Sequence, residues 1–272
     1  MITEQIQNYE PSQAVREGLS IQLTKNLLIY PEAIQYLEDR GISKSMVESH
    51  GVGFCPPYFS HYSDGKLLLS PLMKGRITVP VRNVHGSIVA FAGRQFEPMI
   101  SSVERAFWAM YPNSPADAQA RIDKWKRGKW INESFAKKFH LFHLNVAKQW
   151  AREMGFIVLV EGYFDSLMLE ASQLPNNSAL CGTRLTAWHA AMIARYCRTA
   201  IMLLDGDAAG ENALEHIKPC LDEAGITFKY IVLPPGYDPD TFIIRYGDRQ
   251  LIKAVNMLLN DSDLISLKLN AK

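Results

Sequence analysis

Three carboxylates stand directly after two apolar runs of this sequence. Glu161 follows the run FIVLV at residues 156–160. Asp205 and Asp207 follow the run AIMLL at residues 200–204. A continuous apolar run of this length is typical of a parallel strand that is covered on both faces, and ligands of such sheets bind beyond the carboxyl ends of the strands. We therefore expect the three carboxylates to meet at one edge of a sheet.

Carboxylates that are held close together repel one another, and the usual remedies are protonation or a bound divalent cation. Oxygen ligands without neighbouring histidine or cysteine favour Mg²⁺ or Mn²⁺ over Zn²⁺. A third acidic element, LPPGYDPD at residues 233–240, follows another apolar run and adds Asp238 and Asp240. The alternative is that Glu161 caps a helix and residues 205–207 form a polar turn, which is common in α/β proteins. The third acidic element favours the metal site.

The elements that must position these acids alternate between helix and strand patterns. A parallel succession of strand, helix and strand with right-handed crossovers is expected at this spacing, so we predict an α/β fold. His189 lies inside one predicted helix and is interpreted as a packed or surface histidine rather than a ligand. Besides the two apolar runs, the predicted elements are a helix at 139–154, a helix at 166–171, a short strand and turn at 178–183, and a helix at 186–196.

The first half of the chain has a different pattern. We predict a helix at residues 31–41 and a hairpin whose strands, 76–81 and 87–92, flank a turn at 83–86. Arg94 follows the second strand directly, and it is either a solvated strand end or a phosphate ligand. Residues 95–128 have mostly helical spacing, and residues 1–30 receive no assigned role.

One short segment concentrates positive charge. Residues 124–130, KWKRGKW, contain four cations and two tryptophans. Cations bind phosphate and aromatic rings stack on bases, so this mixture suits single-stranded nucleic acid. The alternative is a helix end with solvated lysines and tryptophans that pack inward, and the sequence leaves both open. Because the net charge is only +1, contact with nucleic acid would depend on a local basic surface such as this one.

The cysteines and the N-terminal residues indicate the cellular compartment in which the protein is expected. The four cysteines form no C-x-x-C pair, which argues against a structural zinc site in this chain and favours buried, reduced thiols. The N-terminus lacks the features of a signal peptide, and no apolar run approaches the length that spans a membrane. We expect a cytoplasmic protein without a membrane partner.

Four motifs in order resemble a known domain: EGYFD at 161–165, CGT at 181–183, DGDAAG at 205–210 and DPDTF at 238–242. Together they resemble the Toprim domain that bacterial primases, topoisomerases and some nucleases share. The primase branch fits best, because upstream segments also resemble the RNA polymerase core of bacterial-type (DnaG-family) DNA primases. Those segments are YLEDRGIS at 36–43, the hairpin with its following glycine and arginine at 76–94, and KWINES at 129–134.

The resemblance implies a division of the chain. Residues 1–150 would form an α+β N-terminal subdomain with a basic nucleic-acid-binding surface, 151–240 a catalytic Toprim domain with a parallel sheet, and 241–272 a short C-terminal helical tail. Bacterial primases usually also carry a zinc-binding module and a helicase-binding domain. We therefore expect a separate zinc-binding partner and a replicative helicase, and an origin in a phage or mobile element.

The resemblance also implies an activity, the metal-dependent and DNA-templated synthesis of short RNA primers from NTPs on single-stranded DNA. Glu161, Asp205 and Asp207 would be catalytic and would hold Mg²⁺ or Mn²⁺, and Asp238 and Asp240 would bind a further metal or the metal of the incoming triphosphate. Asp165 would be a neighbour of the ligands or a helix cap. The residues implied to contact template or nucleotide are Arg94 and Lys129, together with Arg76, Asn132, Lys126 and Arg127.

Two other classes of function stay open from the sequence. A Toprim nuclease would use the same carboxylates with water as the attacking group. An inactive nucleotide-binding or nucleic-acid-binding module would retain the acids without catalysis. A topoisomerase is disfavoured, because its covalent tyrosine would normally lie in an additional domain.

Overall fold

The computed structural model describes residues 11–182, 184–206 and 208–270, and for residues 208–213 it describes the backbone alone. Two predicted features, Asp207 and the threonine of the CGT turn, lie outside the described residues. The described α-helices are α1 (Gln13–Leu28), α2 (Pro31–Glu38), α3 (Lys44–His50), α4 (Ile100–Met110), α5 (Pro115–Arg127), α6 (Leu144–Met154), α7 (Tyr163–Ala171), α8 (Ala187–Ile193), α9 (Ala208–Glu223), α10 (Pro239–Tyr246) and α11 (Arg249–Asn260). None of these helices has the length and hydropathy needed to cross a membrane.

The described strands form three sheets. In chain order they are β1 (Gly53–Cys55), β2 (Tyr62–Ser63), β3 (Lys66–Leu67), β4 (Arg76–Arg82), β5 (Ile88–Gln95), β6 (Trp130–Asn132), β7 (Phe156–Val160), β8 (Asn177–Ala179), β9 (Thr199–Leu204), β10 (Thr227–Val232) and β11 (Ser266–Lys268). Single 3₁₀ turns occur at Pro71–Met73, Glu97–Met99 and Lys137–Phe139. Both helices and strands are present throughout, as the sequence patterns predicted.

The chain divides into two compact units at places that differ from the predicted boundaries. Among the described residues, the first unit contains those up to Glu38, Ser43–Val81 and Ser87–Phe135, and the second contains Asp39–Ile42, Arg82–Gly86 and those from Ala136 onward. The predicted boundary at residue 150 falls inside α6, because that helix packs on β7 and β8 of the second unit. The boundary at residue 240 falls inside α10, because α10 packs against α7. Residues 241–270 therefore belong to the second unit instead of forming a separate tail.

The first unit is built on a four-stranded sheet with the order β1-β4-β5-β6. Strand β4 pairs antiparallel with β1, and β6 pairs antiparallel with β5. The predicted hairpin joins β4 to β5, and its turn is closed by a hydrogen bond from the Gly86 N–H to the Asn83 carbonyl. Helix α1 packs along this sheet and places Leu19 and Leu23 in an apolar cluster with Phe91. The long helix α1 was not predicted.

The second unit contains a five-stranded sheet with the order β11-β10-β9-β7-β8. All of its strand pairs are parallel. In the centre, Leu159 of β7 lies opposite Met202 of β9, and Leu204 of β9 lies opposite Val232 of β10. Every residue of β7 is buried, as expected for a strand covered on both faces. The carboxyl ends of three neighbouring strands, β7, β9 and β10, therefore lie at one edge of this sheet.

A buried lysine fixes the end of this unit. The ammonium of Lys229, on β10, donates hydrogen bonds to the carbonyls of Leu258 at 2.6 Å, Asp261 at 2.7 Å and Leu264 at 2.9 Å. The last carbonyls of a helix lack partners within the helix, and a cation that binds them stabilises the helix end. Lys229 thus holds the end of α11 and the connection that leads to β11.

Candidate functional site

The carboxylates predicted to meet do follow neighbouring strands of the parallel sheet. Glu161 comes directly after β7, and Asp205 comes directly after β9. Asp238 lies in the loop that follows β10 and caps the start of α10. Because the three strands are adjacent and parallel, these residues lie at the same edge of the sheet.

A close backbone contact joins two of the loops that carry these acids. The N–H of Gly206 donates a 3.0 Å hydrogen bond to the carbonyl of Tyr237. A Cβ atom added to Gly206 would lie 1.9 Å from the carbonyl oxygen of Pro234. Only glycine allows this approach, since any side chain would overlap with backbone atoms. The glycine that follows Asp205 therefore keeps that loop against the loop that carries Asp238.

Asp165 is a buried carboxylate that connects the starts of two helices. One of its oxygens accepts a 3.0 Å hydrogen bond from the N–H of Gly162, the N-cap residue of α7. The other oxygen accepts a 3.2 Å hydrogen bond from the N–H of Asp240 in α10. Asp165 is therefore a helix cap, and it also ties α7 to α10 beside the acidic residues.

The electrostatics of Asp165 show how close the acids are. Burial raises the pKa of Asp165, and the negative charges of Asp238, Asp205 and Asp240 raise it further, to about 8. A carboxyl group with this pKa is mostly protonated at neutral pH, first because it is buried and second because the surrounding negative charge is not compensated. A divalent cation would compensate that charge, and carboxylate oxygens are the ligands that hard cations prefer. The residues present therefore fit a site for such a cation.

The two acids of the DPD segment have different surroundings. Asp238 accepts a 2.8 Å hydrogen bond from the N–H of Thr241, which makes it the N-cap of α10. Asp240 is buried, and its carboxylate lies 3.4 Å from Nε of Arg40. The role of Arg40 was missed in the sequence. Its position before the glycine of the YLEDRGIS segment was the only signal, and the pattern did not distinguish it from a solvated cation.

Glu161 lies at the same edge with an exposed side chain. Its backbone carbonyl accepts a 3.4 Å hydrogen bond from the N–H of Gly182, in the turn after β8. Asp207 lies outside the described residues, so its predicted role stays a prediction. The structure thus brings together Asp165, Asp205, Asp238 and Asp240, with Glu161 following the neighbouring strand.

The first unit carries the residues predicted to contact template or nucleotide. Arg94 of β5 lies opposite Trp130 of β6, and its guanidinium carbon is 5.8 Å from the centre of the indole ring. Lys129 is exposed and directly precedes Trp130, while Asn132 is half-buried on the same strand. An arginine and an indole side by side, with an exposed lysine next to them, form a surface that suits phosphates and bases.

For the basic segment at 124–130 the sequence left two interpretations open, a nucleic-acid surface and a helix end with inward-packed tryptophans. Each interpretation describes part of the segment. Trp125 is buried, and its indole N–H donates a 2.7 Å hydrogen bond to the carbonyl of Lys74, so this tryptophan packs inward. Trp130 is half-buried beside Arg94 instead. Lys126 forms a 2.5 Å ion pair with Glu104. The part of the segment that suits nucleic acid is therefore its end.

We correct the prediction for Arg76. Its side chain is fully buried, with 0% exposure, so it is not positioned to meet a phosphate in solvent. Burial lowers its pKa to about 10, and the nearby charge of Arg94 acts in the same direction. Instead of binding a ligand, the guanidinium joins several backbone segments of the first unit. It donates hydrogen bonds to the carbonyls of Leu72, Gly93, Trp125, Gly128 and Lys129.

Comparisons with known proteins agree with this arrangement. Residues 158–243 match the family model described as Toprim-like. A DNA primase of Aquifex aeolicus (strain VF5) is 31% identical over 251 residues, which are 85% of this chain and 46% of that protein. The crystal structure of the zinc-binding and RNA polymerase domains of the A. aeolicus primase is similar with a TM-score of 0.70 and 26% identity, covering 91% of this chain and 62% of that one.

A structure of the DnaG primase catalytic domain bound to single-stranded DNA shares the fold, with a TM-score of 0.65 and 23% identity over 90% of this chain and 80% of that one. The chain spans about half the length of the curated A. aeolicus relative. Within that span the similarity covers both compact units. The chain is therefore a homologue of the bacterial DNA primases, with the fold of their catalytic core and a Toprim-like domain at residues 158–243.

Proposed function

We propose that the chain is the catalytic core of a DNA primase, which joins NTPs into short RNA on a single-stranded DNA template. The observation that supports this best is the group of carboxylates at the carboxyl edge of the parallel sheet, in a chain homologous to primases. A nuclease with a Toprim domain would share the acids. The additional similarity of the first unit to primases favours synthesis over cleavage.

In this proposal Glu161, Asp205 and Asp207 hold Mg²⁺ or Mn²⁺, and Asp238 and Asp240 hold the metal that accompanies the triphosphate. Divalent cations in such a site lower the pKa of the attacking hydroxyl and neutralise the charge of the leaving pyrophosphate. The protein supplies the geometry. Asp165 holds the starts of α7 and α10 together, and the contact at Gly206 keeps the loops after β9 and β10 in register.

The first unit would bind the nucleic acid or the nucleotide. We propose that Arg94 and Lys129 contact phosphates, that Asn132 donates to the same ligand, and that Trp130 stacks on a base. Arg94 lies on β5, Trp130 and Asn132 lie on β6, and Lys129 directly precedes β6, so the paired strands keep these side chains together. Because phosphate contacts are largely independent of sequence, these residues would affect affinity for every template in a similar way.

Partners follow from the relatives only as proposals. The A. aeolicus structure contains a zinc-binding domain together with the RNA polymerase domain. We propose that this core likewise works with a zinc-binding module, which selects the template, and with a replicative helicase. The expected cytoplasmic location and the expected origin in a phage or mobile element stay predictions.

The test is an RNA synthesis assay on single-stranded DNA with labelled NTPs and Mg²⁺. We expect Asp205→Asn and Asp207→Ala to lower synthesis at least about 100-fold, as is usual when a charge that stabilises the transition state is removed. Glu215→Gln, which changes an exposed carboxylate of α9, is the control and should keep full activity. Normal synthesis by Asp207→Ala would refute the metal assignment. Loss of labelled DNA without NTPs would identify a nuclease instead.

A further inference from the structure

Two aromatic rings on the second unit are open to solvent and touch each other. Trp188 in α8 is 62% exposed, and Phe139 in the 3₁₀ turn Lys137–Phe139 is 38% exposed. Their ring centres are 5.3 Å apart, and the rings are nearly perpendicular at 85°. Exposed aromatic side chains expose much apolar area to water, and such groups often mark a binding surface. The function proposed above assigns no role to either ring.

The backbone beneath the two rings is held in place by hydrogen bonds. The hydroxyl of Thr186 donates to the carbonyl of Lys138 at 3.0 Å. His189 is buried, with Nε2 3.0 Å from the carbonyl of Lys137 and Nδ1 accepting a hydrogen bond from the Thr186 N–H. This pattern requires the neutral tautomer with the proton on Nε2. The predicted packed histidine therefore fixes the 3₁₀ turn to the start of α8, so the rings need little reordering on binding.

One exposed cation lies beside the Phe139 ring, and a second exposed cation lies four residues before Trp188 in the chain. The ammonium of Lys138 lies 4.8 Å from the centre of the Phe139 ring, and its side chain is exposed. Arg184, two residues before the Thr186 cap, is exposed as well. An aromatic pair with an exposed cation beside it complements bases and phosphates together, whereas a purely apolar protein partner would not need the cation.

Lys137, at the start of the turn that carries Phe139, lies near the turn that follows β8. Lys137 is near enough to Cys181 that its positive charge opposes the rise that burial causes in the pKa of the Cys181 thiol. The next residue, Gly182, donates its N–H to the carbonyl of Glu161.

We infer that Phe139 and Trp188 form a stacking platform for bases of the single-stranded DNA template, with Lys138 and Arg184 contacting its phosphates. The inference rests on the proposed function, because it takes the template as the occupant. A strand fits better than a mononucleotide, since both rings are open to solvent and an extended strand can place successive phosphates near the two cations. Stacking of this kind tolerates any base sequence, as a primase template requires.

The test measures affinity of the full chain for a labelled dT 12-mer by fluorescence anisotropy. Stacking contributes about 1–3 kcal/mol per base, so Trp188→Ala should weaken binding about tenfold. Trp188→Phe keeps a ring and should stay within about threefold of the wild type. Trp150→Ala is the matched control, because it removes another exposed tryptophan, 41% exposed in α6, that lies outside the proposed platform. This variant should bind the 12-mer as tightly as the wild type does. Thermal melting checks that each variant is folded.

Two further measurements separate stacking from charge. On a 12-mer with abasic sites, Trp188→Ala should bind as the wild type does, because no base is left to stack. Lys138→Met should reduce the slope of log affinity against log salt by about 0.7, the loss of one phosphate contact on a single strand. Equal affinities of Trp188→Ala and wild type for dT would overturn the inference and leave the rings to a protein partner. An effect confined to a U 12-mer would overturn the template as occupant.

The binding assay needs no catalysis, so the inference and the proposed function can fail separately. If the wild type makes no RNA but Trp188→Ala weakens DNA binding, the primase proposal is refuted and the platform is retained. If the wild type makes RNA and Trp188→Ala binds the dT 12-mer as tightly as the wild type does, the primase proposal is retained and the platform is refuted.

Discussion

The N–H of Gly206 lies 3.0 Å from the carbonyl oxygen of Tyr237 and donates a hydrogen bond to it. This contact joins the loop that follows β9 to the loop that follows β10, so Asp205 and Asp238 are placed by the same backbone arrangement. It depends on the absence of a side chain at residue 206.

Replacing Gly206 with alanine should separate the two loops. The new Cβ would lie 1.9 Å from the Pro234 oxygen, and the backbone must move to relieve the overlap. We expect the free energy of unfolding to fall by about 1–3 kcal/mol, which is typical of overpacking. RNA synthesis should fall by more than the fraction of protein that this change unfolds. Urea unfolding and the synthesis assay measure both. Gly18→Ala is the control, because nothing lies within 4 Å of its new Cβ in α1, and the substitution should stabilise by up to about 1 kcal/mol.

Replacing Arg76 should mainly reduce stability, whereas replacing Arg94 should mainly reduce ligand binding. Arg76→Ala leaves several buried carbonyls without their donor, so the free energy of unfolding should fall by at least about 3 kcal/mol. Arg94→Ala should change stability by about 0.5 kcal/mol or less and should weaken binding of single-stranded DNA or NTP. Urea unfolding combined with anisotropy titrations distinguishes the two. A stable Arg76→Ala variant with weak DNA binding would contradict our correction for Arg76.

The raised pKa of Asp165 should make the stability of the metal-free protein depend on pH. Its pKa is raised to about 8 when folded, from an ordinary value near 3.8, so the folded state holds the proton more tightly than the unfolded state. Its contribution to stability is therefore complete below about pH 4 and is lost as the pH rises through about 8. Urea unfolding across this range should show a fall in stability with rising pH that Asp165→Asn reduces. An unchanged slope in that variant would assign the dependence to other groups.

Divalent cations should stabilise the folded chain through the same acids. A ligand that binds only the folded state, present at 100 times its dissociation constant, adds about 2.7 kcal/mol to the free energy of unfolding. We expect Mg²⁺ or Mn²⁺ to raise the melting temperature of the wild type, and Asp205→Asn and Asp238→Asn to reduce that rise. Glu215→Gln should respond as the wild type does. Equal shifts in all four proteins would indicate cation binding elsewhere.

Much of the candidate site could be predicted from the sequence because it depends on strand order. The apolar runs before Glu161 and Asp205 form the adjacent parallel strands β7 and β9, as predicted, and the short strand after α7 is β8. Parallel pairing then brings the residues after these strands to one edge. The link from Asp165 to the Asp240 N–H was not predictable, because it depends on how α10 packs against α7.

Other elements were missed for physical reasons that particular residues show. Helix α1 buries Ser20 and Asn26 along with its leucines, so its inner face does not read as apolar. Strand β11 has only three residues, two of them partly buried and one exposed, and its pairing with β10 gives no sequence signal. Arg76 resembles a phosphate ligand by residue type, but carbonyls from distant segments surround it in the fold.

The buried ammonium of Lys229 has a practical consequence for cutting the gene into smaller pieces. All three of its acceptors come from residues 258–264, beyond the end of the Toprim-like match at residue 243. A recombinant fragment that stopped near residue 246 would lose those acceptors together with α11 and β11, and the edge of β10 that pairs with β11 would be left unpaired. A recombinant piece of the second unit therefore has to extend through β11 to keep both the acceptors of Lys229 and the pairing of β10.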